Sequence, residues 1–403
     1  MKVVGLIVEY NPLHNGHLHH FQQSLQATGA NASVAVMSGF FLQRGEPALV
    51  GKWARAQMAL ALGVDLVLEL PLAYCTQNAE WFAFGAISTL HNLGIVDYVC
   101  FGSESGELSW IHSLADCLQD EPHSFKQKIK ELLALGLSYP KAYASAISSS
   151  FNIPEKFIEQ PNNILGLNYV LALKRLQSKI QPATVIRTKA DYHQESITDQ
   201  RIASATAIRK QLLEKTINDI IPYVPKTTYE ILSQESQAGR CPVTWNHFYP
   251  FLMANLATKS ESELAEIYGM DEGLEYRLKR EFLYSHSFQE LMERIKTKRY
   301  TWNRLQRLFL YTLLNIKEGQ VQSFNLDQGV PYIRVLGFNS KGRELLHLAK
   351  KLSPVPILTK IPKTREAMLE LDIRASTIYQ LGCPQPFEKK QYNQEFYMPP
   401  IIV

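Results

Sequence analysis

The first hundred residues alternate short apolar runs with longer amphipathic stretches, and this pattern leaves few folds open. Val3-Val4-Gly5-Leu6-Ile7-Val8 is apolar throughout, as expected of a strand buried on both faces of a parallel sheet. Helical periodicity follows over 16–27, then an apolar run over 32–37, a loop over 39–51 and a helix over 53–62. A third strand at 65–70 stops at Pro71, a helix spans 78–93, and a fourth strand, 98–101, ends at Gly102. Strands alternating with helices on short connections predict an α/β fold, a doubly wound parallel sheet with right-handed crossovers. Ligands of such sheets bind beyond the carboxyl ends of the strands, where strand order reverses.

Farther along, 105–176 is mainly helical, an insertion or cap over the sheet. A short strand at 183–186 and a helix at 204–213 complete the first unit. At 403 residues the chain is long enough for two or three domains. Beyond Pro222 the pattern changes to long helices with scattered aromatics. The expected division is a catalytic unit over 1–220 and a mainly helical unit over 221–403, the latter with strand-like pieces at 332–336 and 355–359.

The strongest chemical signal follows the first strand: Glu9-Tyr10-Asn11-Pro12-Leu13-His14-Asn15-Gly16-His17. This is His-x-Gly-His at the turn into a helix. Gly16 lets backbone approach a phosphate, and the helix start offers free N–H groups and a positive dipole end. His14 and His17 flank that glycine as donors to phosphate oxygens in a reaction governed by positioning and charge. Two alternatives are ordinary loop histidines and a zinc site built from His14, His17, His19 and His20. No HExxH pattern or remote ligand motif accompanies the latter, and no metal ligands are assigned.

A second signal is Ile202-Ala203-Ser204-Ala205-Thr206-Ala207-Ile208-Arg209. Ser204 and Thr206 stand where a helix begins, suited to capping it and to meeting a phosphate. Arg209, about one turn on, is placed to reach the β and γ phosphates. A plain N-cap explains the same residues.

Together the two motifs resemble the nucleotidyltransferase superfamily that joins His-x-Gly-His with Ile-Ser-Ser-Thr-x-Ile-Arg. Ala203 stands for the leading Ile and Ala205 for the second Ser, removing one hydroxyl. A closer resemblance, to the bacterial tRNA(Met) cytidine acetate ligase family, covers nearly the whole chain. It is carried by the segment from Val8 to His17, and by Met37-Ser38-Gly39, Gln43-Arg44-Gly45-Glu46-Pro47-Ala48 and Phe101-Gly102-Ser103-Glu104. Pro161-Asn162-Asn163-Ile164-Leu165-Gly166 and Thr297-Lys298-Arg299-Tyr300-Thr301 carry it further. The resemblance implies activation of acetate by ATP to acetyl-adenylate, then acetylation of the wobble cytidine of elongator tRNA(Met) at N4. It implies ATP along Ile7, Val8, Glu9, Tyr10, Asn11, Pro12, Leu13, His14, Asn15, Gly16, His17, Leu18, His19 and His20, with Gly102, Asn162 and Arg187 as further contacts.

The residues themselves agree in part. Gly102 offers bare backbone for a base or ribose to pack on. Arg187 follows a strand at the same sheet edge. Asn162 precedes a helix and is equally suited to an N-cap. The 43–46 loop is expected to form a mobile lid, its Arg44 contacting phosphate or carboxylate, or simply solvated. Mg²⁺ is expected to bridge the phosphates.

For the RNA, 294–307 holds Arg294, Lys296, Lys298, Arg299, Arg304 and Arg307 and no acid. Tyr300, Arg304, Arg307 and Tyr311 fall on one helical face at three- and four-residue spacing, a pattern suited to phosphates and unstacked bases. Lys298, Arg299, Arg304 and Arg307 are the expected tRNA contacts, although solvated charge runs look alike. The net charge of +4 is too weak to argue for nucleic acid by itself.

Five cysteines without a short spacing predict reduced thiols in a cytoplasmic protein, and no run approaches a membrane span. The competing functions are an adenylyltransferase for a small phosphorylated metabolite, a class I aminoacyl-tRNA synthetase lacking its Lys-Met-Ser-Lys-Ser-like loop, and a non-catalytic RNA-binding protein. Oligomeric state is not legible.

Overall fold

A computed structural model describes residues 1–119, 122–137, 139–151, 153–158, 160–187, 203–384 and 394–403. Strand β1 (Val3–Val8) lies mid-sheet, because a run apolar on both faces must be covered on both. It pairs in parallel with β2 (Ala32–Ser38) on one side and β4 (Tyr98–Ser103) on the other. Outside these lie β3 (Leu66–Leu70), parallel to β2, and β5 (Gln181–Ile186), parallel to β4. The chain builds outward from β1 through β2 to β3, then crosses back to β4. Strand order therefore reverses between β1 and β4, and the crevice over their carboxyl ends is where ligands bind in such sheets.

The expected helices are present, displaced by a residue or so: Asn15–Thr28, Lys52–Leu62, Ala79–Leu93 and Ala205–Glu214. Left-handed Gly29, Gly63 and Gly94 close the first three, the usual stop for a helix of L-residues. The expected insertion between β4 and β5 is helical, ending with Pro161–Arg175.

One expectation needs correction. The late strands do not belong to a separate helical unit. β6 (Ile333–Phe338) runs antiparallel beside β3, with Glu69 opposite Arg334, and β7 (Ile357–Leu358) and β8 (Ile401–Ile402) both pair with β6. Among the described residues the sheet has eight strands, in the order β5-β4-β1-β2-β3-β6-β7 with β8 beside β6, and crosses the expected boundary at 220/221. The cause is the apolar β6, buried at Ile333, Val335 and Leu336, whose Arg334 lies 3.6 Å from the Glu395 carboxylate. Lys52 completes the buried charge cluster, 2.7 Å from Glu69 and 2.5 Å from Glu395.

Among the described residues no helix is long and apolar enough to cross a membrane. All five cysteines are free thiols, three of them buried.

Candidate active site

The turn after β1 is organised by its two histidines. His14 caps the helix Asn15–Thr28: its Nδ1 accepts the Gly16 N–H at 3.0 Å. His17 answers from inside the helix, its Nδ1 accepting the His14 N–H at 3.2 Å. Their rings lie 3.8 Å apart between centroids, and Tyr10 meets His17 edge-on at 5.0 Å. Tyr10 itself adopts φ 50, a left-handed conformation costing an L-residue about 1–2 kcal/mol. Strain of this kind gathers at functional sites.

This arrangement fixes the chemistry of both rings. A neutral imidazole that accepts at one nitrogen carries its proton on the other. Both histidines therefore carry Nε2–H groups. Burial holds the pKa of His14 down at about 3, aided by Arg187 and Arg209. Burial, then His14 and Arg187, likewise holds His17 well below the ordinary 6.5. The expectation of a free helix N-terminus changes accordingly: the Gly16 N–H is taken by His14, so histidine N–H groups replace it as donors.

Two arginines flank the pair. Arg209 donates to the Asn11 carbonyl at 2.9 Å and to Thr206 Oγ1 at 3.3 Å, with Glu46 at 3.5 Å. Thr206 thus positions Arg209. Ser204 is an N-cap, its side chain accepting the Ala207 N–H at 3.0 Å; Ile202 lies outside the described residues.

On the opposite flank, Arg187 donates to Asn162 Oδ1 at 3.3 Å. Asn162 is not an N-cap; Gln160 holds that place. Its amide donates to Glu104 at 2.5 Å, and Glu104 also accepts the backbone N–H groups of Asn162 and Asn163. A Cβ on Gly102 would stand 3.0 Å from Arg187 Cγ and 3.7 Å from His20, so a side chain there would press on Arg187. Among the described residues, His20 Nε2 is buried with no hydrogen-bond partner.

Loop 39–51, expected to carry a lid at 43–46, is a hydrogen-bonded hairpin in this structure. Leu42 N–H donates to Glu46 O, Gln43 N–H to Glu9 Oε1, the Gln43 amide to Gln77 O, and Leu49 N–H to Asn11 Oδ1. Gly45 sits with φ 82 directly against the backbone of Arg307. Through this contact the helix Trp302–Leu314 becomes a wall of the site. Arg307 donates to Gln43 O at 3.4 Å and lines the cleft with Thr301 and Asn303. Sequence reading placed Arg307 on an RNA-facing stripe because the packing of Gly45 on it is not a local signal. Tyr300 and Tyr311 are buried, their hydroxyls donating to Glu272 and Thr76, which takes both rings out of that stripe. Arg304 pairs with Asp271 at 2.6 Å, and Arg299 with Glu272 at 2.6 Å. The run without local acids is neutralised in part from elsewhere in the chain.

The resulting cleft, about 1720 Å³, runs from the histidines to the insertion on one side and the helix Trp302–Leu314 on the other. A single small molecule is usually held in about 300–1,000 Å³, so two substrates fit. Among the described residues no group of three or more His, Cys, Asp or Glu is arranged to hold a metal.

The model of the HIGH nucleotidyl transferase family matches residues 1–395. The chain is 41% identical over 405 residues to the tRNA(Met) cytidine acetate ligase of Geobacillus sp. (strain WCH70), covering both chains completely. It belongs to the tRNA(Met) cytidine acetate ligase family. It is 40% identical to the enzyme of that name from Bacillus subtilis (strain 168), covering 100% of this chain and 97% of the relative. The apo crystal structure of Thermotoga maritima TmcAL superposes with a TM-score of 0.93 at 35% identity over the whole of both chains. The same protein bound with alpha-thio ATP superposes at 0.91, again end to end. The fold match thus spans the crevice at β1 and β4 and the C-terminal helices alike.

Proposed function

We propose that this protein activates acetate with ATP and transfers the acetyl group to N4 of the wobble cytidine of elongator tRNA(Met). The observation that carries the proposal is the pair of Nε2–H donors on His14 and His17, flanked by Arg187 and Arg209, in a cleft with room for a second substrate. The full-length match to ligases of that name supplies the acyl group and the RNA. A carboxylate oxygen of acetate attacks the α-phosphorus, pyrophosphate leaves, and acetyl-adenylate forms. Cytidine N4 then attacks the acyl carbon and AMP leaves. Donors fixed before the reaction stabilise charge as it develops without reorganising. His14 and His17 would serve the α-phosphate and its leaving oxygen, Arg209 the departing pyrophosphate, and Gly102, Asn162, Arg187 and His20 the nucleoside end.

Among the described residues no cluster of acids is arranged to hold magnesium: of the carboxylates lining the cleft, Glu46 faces Arg209 and Glu80 faces Arg175, both at 3.5 Å, and Glu9 is a single carboxylate bonded to the Gln43 N–H. Mg²⁺ would enter on the nucleotide phosphates. Residues 1–220 would supply the ATP chemistry, and 221–403 would meet tRNA through Lys298, Arg299 and Arg304, with Arg307 inside the cleft. A tRNA substrate implies the cytoplasm.

The test is incubation with ATP, labelled acetate and bulk bacterial tRNA, followed by nuclease digestion and mass spectrometry of the nucleosides. Label in N4-acetylcytidine from tRNA(Met) is the expected result. Label elsewhere, or none, would overturn the proposal.

A further inference from the structure

Acetyl transfer to cytidine needs a proton acceptor. The N4 lone pair is delocalised into the pyrimidine ring, so the amine attacks well only as its proton departs to a base. His14 and His17 are unsuited: each accepts a backbone N–H at Nδ1 and therefore carries a proton at Nε2.

Among the described residues three carboxylates line the cleft: Glu9, Glu46 and Glu80. Glu46 is held by Arg209 and Glu80 by Arg175. Glu9, at the carboxyl end of β1, makes no ion pair among the described residues. Its Oε1 accepts the Gln43 N–H at 2.9 Å, which fixes the carboxyl group, and no partner is recorded for Oε2 among those residues. Burial raises its pKa above the ordinary 4.5, opposed by the Gln43 N–H; Glu46 raises it further, while Arg44 and Arg209 lower it. Arg55, donating to the Glu9 carbonyl at 2.7 Å, and the buried Cys75 face it from below. Gln43 joins Glu9 to Arg307, so this carboxyl lines the same cleft as the histidines and is tied to its C-terminal wall, in a cleft with room for a second substrate.

We propose that Glu9 is the general base of acetyl transfer. Its Oε2 takes the N4 proton as the N4–C bond forms; the acyl C–O bond to the adenylate breaks, and its electron pair leaves on AMP. Glu9 then returns the proton to solvent. The assignment rests on the function proposed above.

The experiment compares wild type with Glu9→Gln, which keeps an acceptor for Gln43, using two acyl acceptors. Hydroxylamine is nucleophilic without a base and reports acetyl-adenylate as acetyl hydroxamate; tRNA requires the base. The expected result is a loss of about 100-fold in tRNA acetylation, the usual scale for a general base, with the hydroxamate rate reduced less than about tenfold. Equal losses with both acceptors, or unchanged tRNA acetylation, would overturn the proposal. Should the variant not fold, single-turnover transfer by the wild type decides instead: an acid limb of unit slope supports Glu9, and a flat profile overturns it. A wild type forming no hydroxamate from ATP and acetate would refute the reading of function, and this assignment with it.

Discussion

Gly45→Ala should loosen the whole acceptor side of the cleft. At φ 82 an alanine pays about 1–2 kcal/mol for the left-handed conformation. Its Cβ would also stand 2.6 Å from Arg307 N and 2.7 Å from Arg307 Cα. Those are backbone atoms of a packed helix, so the hairpin must retreat by about 0.8 Å to reach ordinary contact. That movement breaks the Gln43 N–H bond to the Glu9 carboxyl, a class worth about 1.5–3 kcal/mol. The combined loss is about 2.5–5 kcal/mol. Gly136 supplies the control: it has φ 84 with nothing within 4 Å of its Cβ position, so Gly136→Ala should cost only the conformational part. Urea unfolding of both variants measures the difference, and acetyl transfer should fall in Gly45→Ala alone. Equal destabilisation by the two substitutions would refute the close packing of the hairpin on the helix Trp302–Leu314.

Three further outcomes are expected. His14 and His20 have pKa values near 3 and 4, below the ordinary 6.5, chiefly through burial. Unfolding therefore takes up protons between those values, and stability should fall by about 1.4 kcal/mol per ring for each pH unit lost below 6.5, as urea titrations against pH will show. Arg187→Lys, which cannot reproduce a planar guanidinium beside Asn162, should raise KM for ATP about tenfold with a smaller change in kcat in steady-state assays. Lys52→Met takes from Glu69 its ion-pair partner and leaves Arg334 as the one cation recorded beside two buried carboxylates among the described residues, and should cost about 3–5 kcal/mol, measured by denaturant unfolding.

Much of the fold was legible because local apolar pattern suffices for strands buried on both faces. β1 to β4 and the helices between them were placed within a residue or two, and His-x-Gly-His lies in the cleft over the sheet. What escaped was long-range. Glu69 and Arg334 look like surface charges until Lys52 and Glu395 meet them, so the joining of β6 to β3 had no sequence signal. The acids neutralising Arg299 and Arg304 lie about thirty residues upstream at Glu272 and Asp271. Hydroxyl and amide residues at helix starts were ambiguous by nature: Ser204 is the cap it resembled, whereas Asn162 reaches across to Glu104 and Arg187. Polar Gln43-Arg44-Gly45-Glu46 looks like a solvated loop in the sequence, although its backbone is bonded to Glu9 and its glycine buried against a helix.

The central claim is that the histidine pair serves acetate activation for tRNA. The most direct measurement is pyrophosphate release from ATP by purified protein, adding acetate and then tRNA(Met), with His17→Ala alongside. Release that depends on acetate and tRNA and vanishes in the variant is the predicted result. No release from wild type under these conditions, or release undiminished in His17→Ala, would contradict the account.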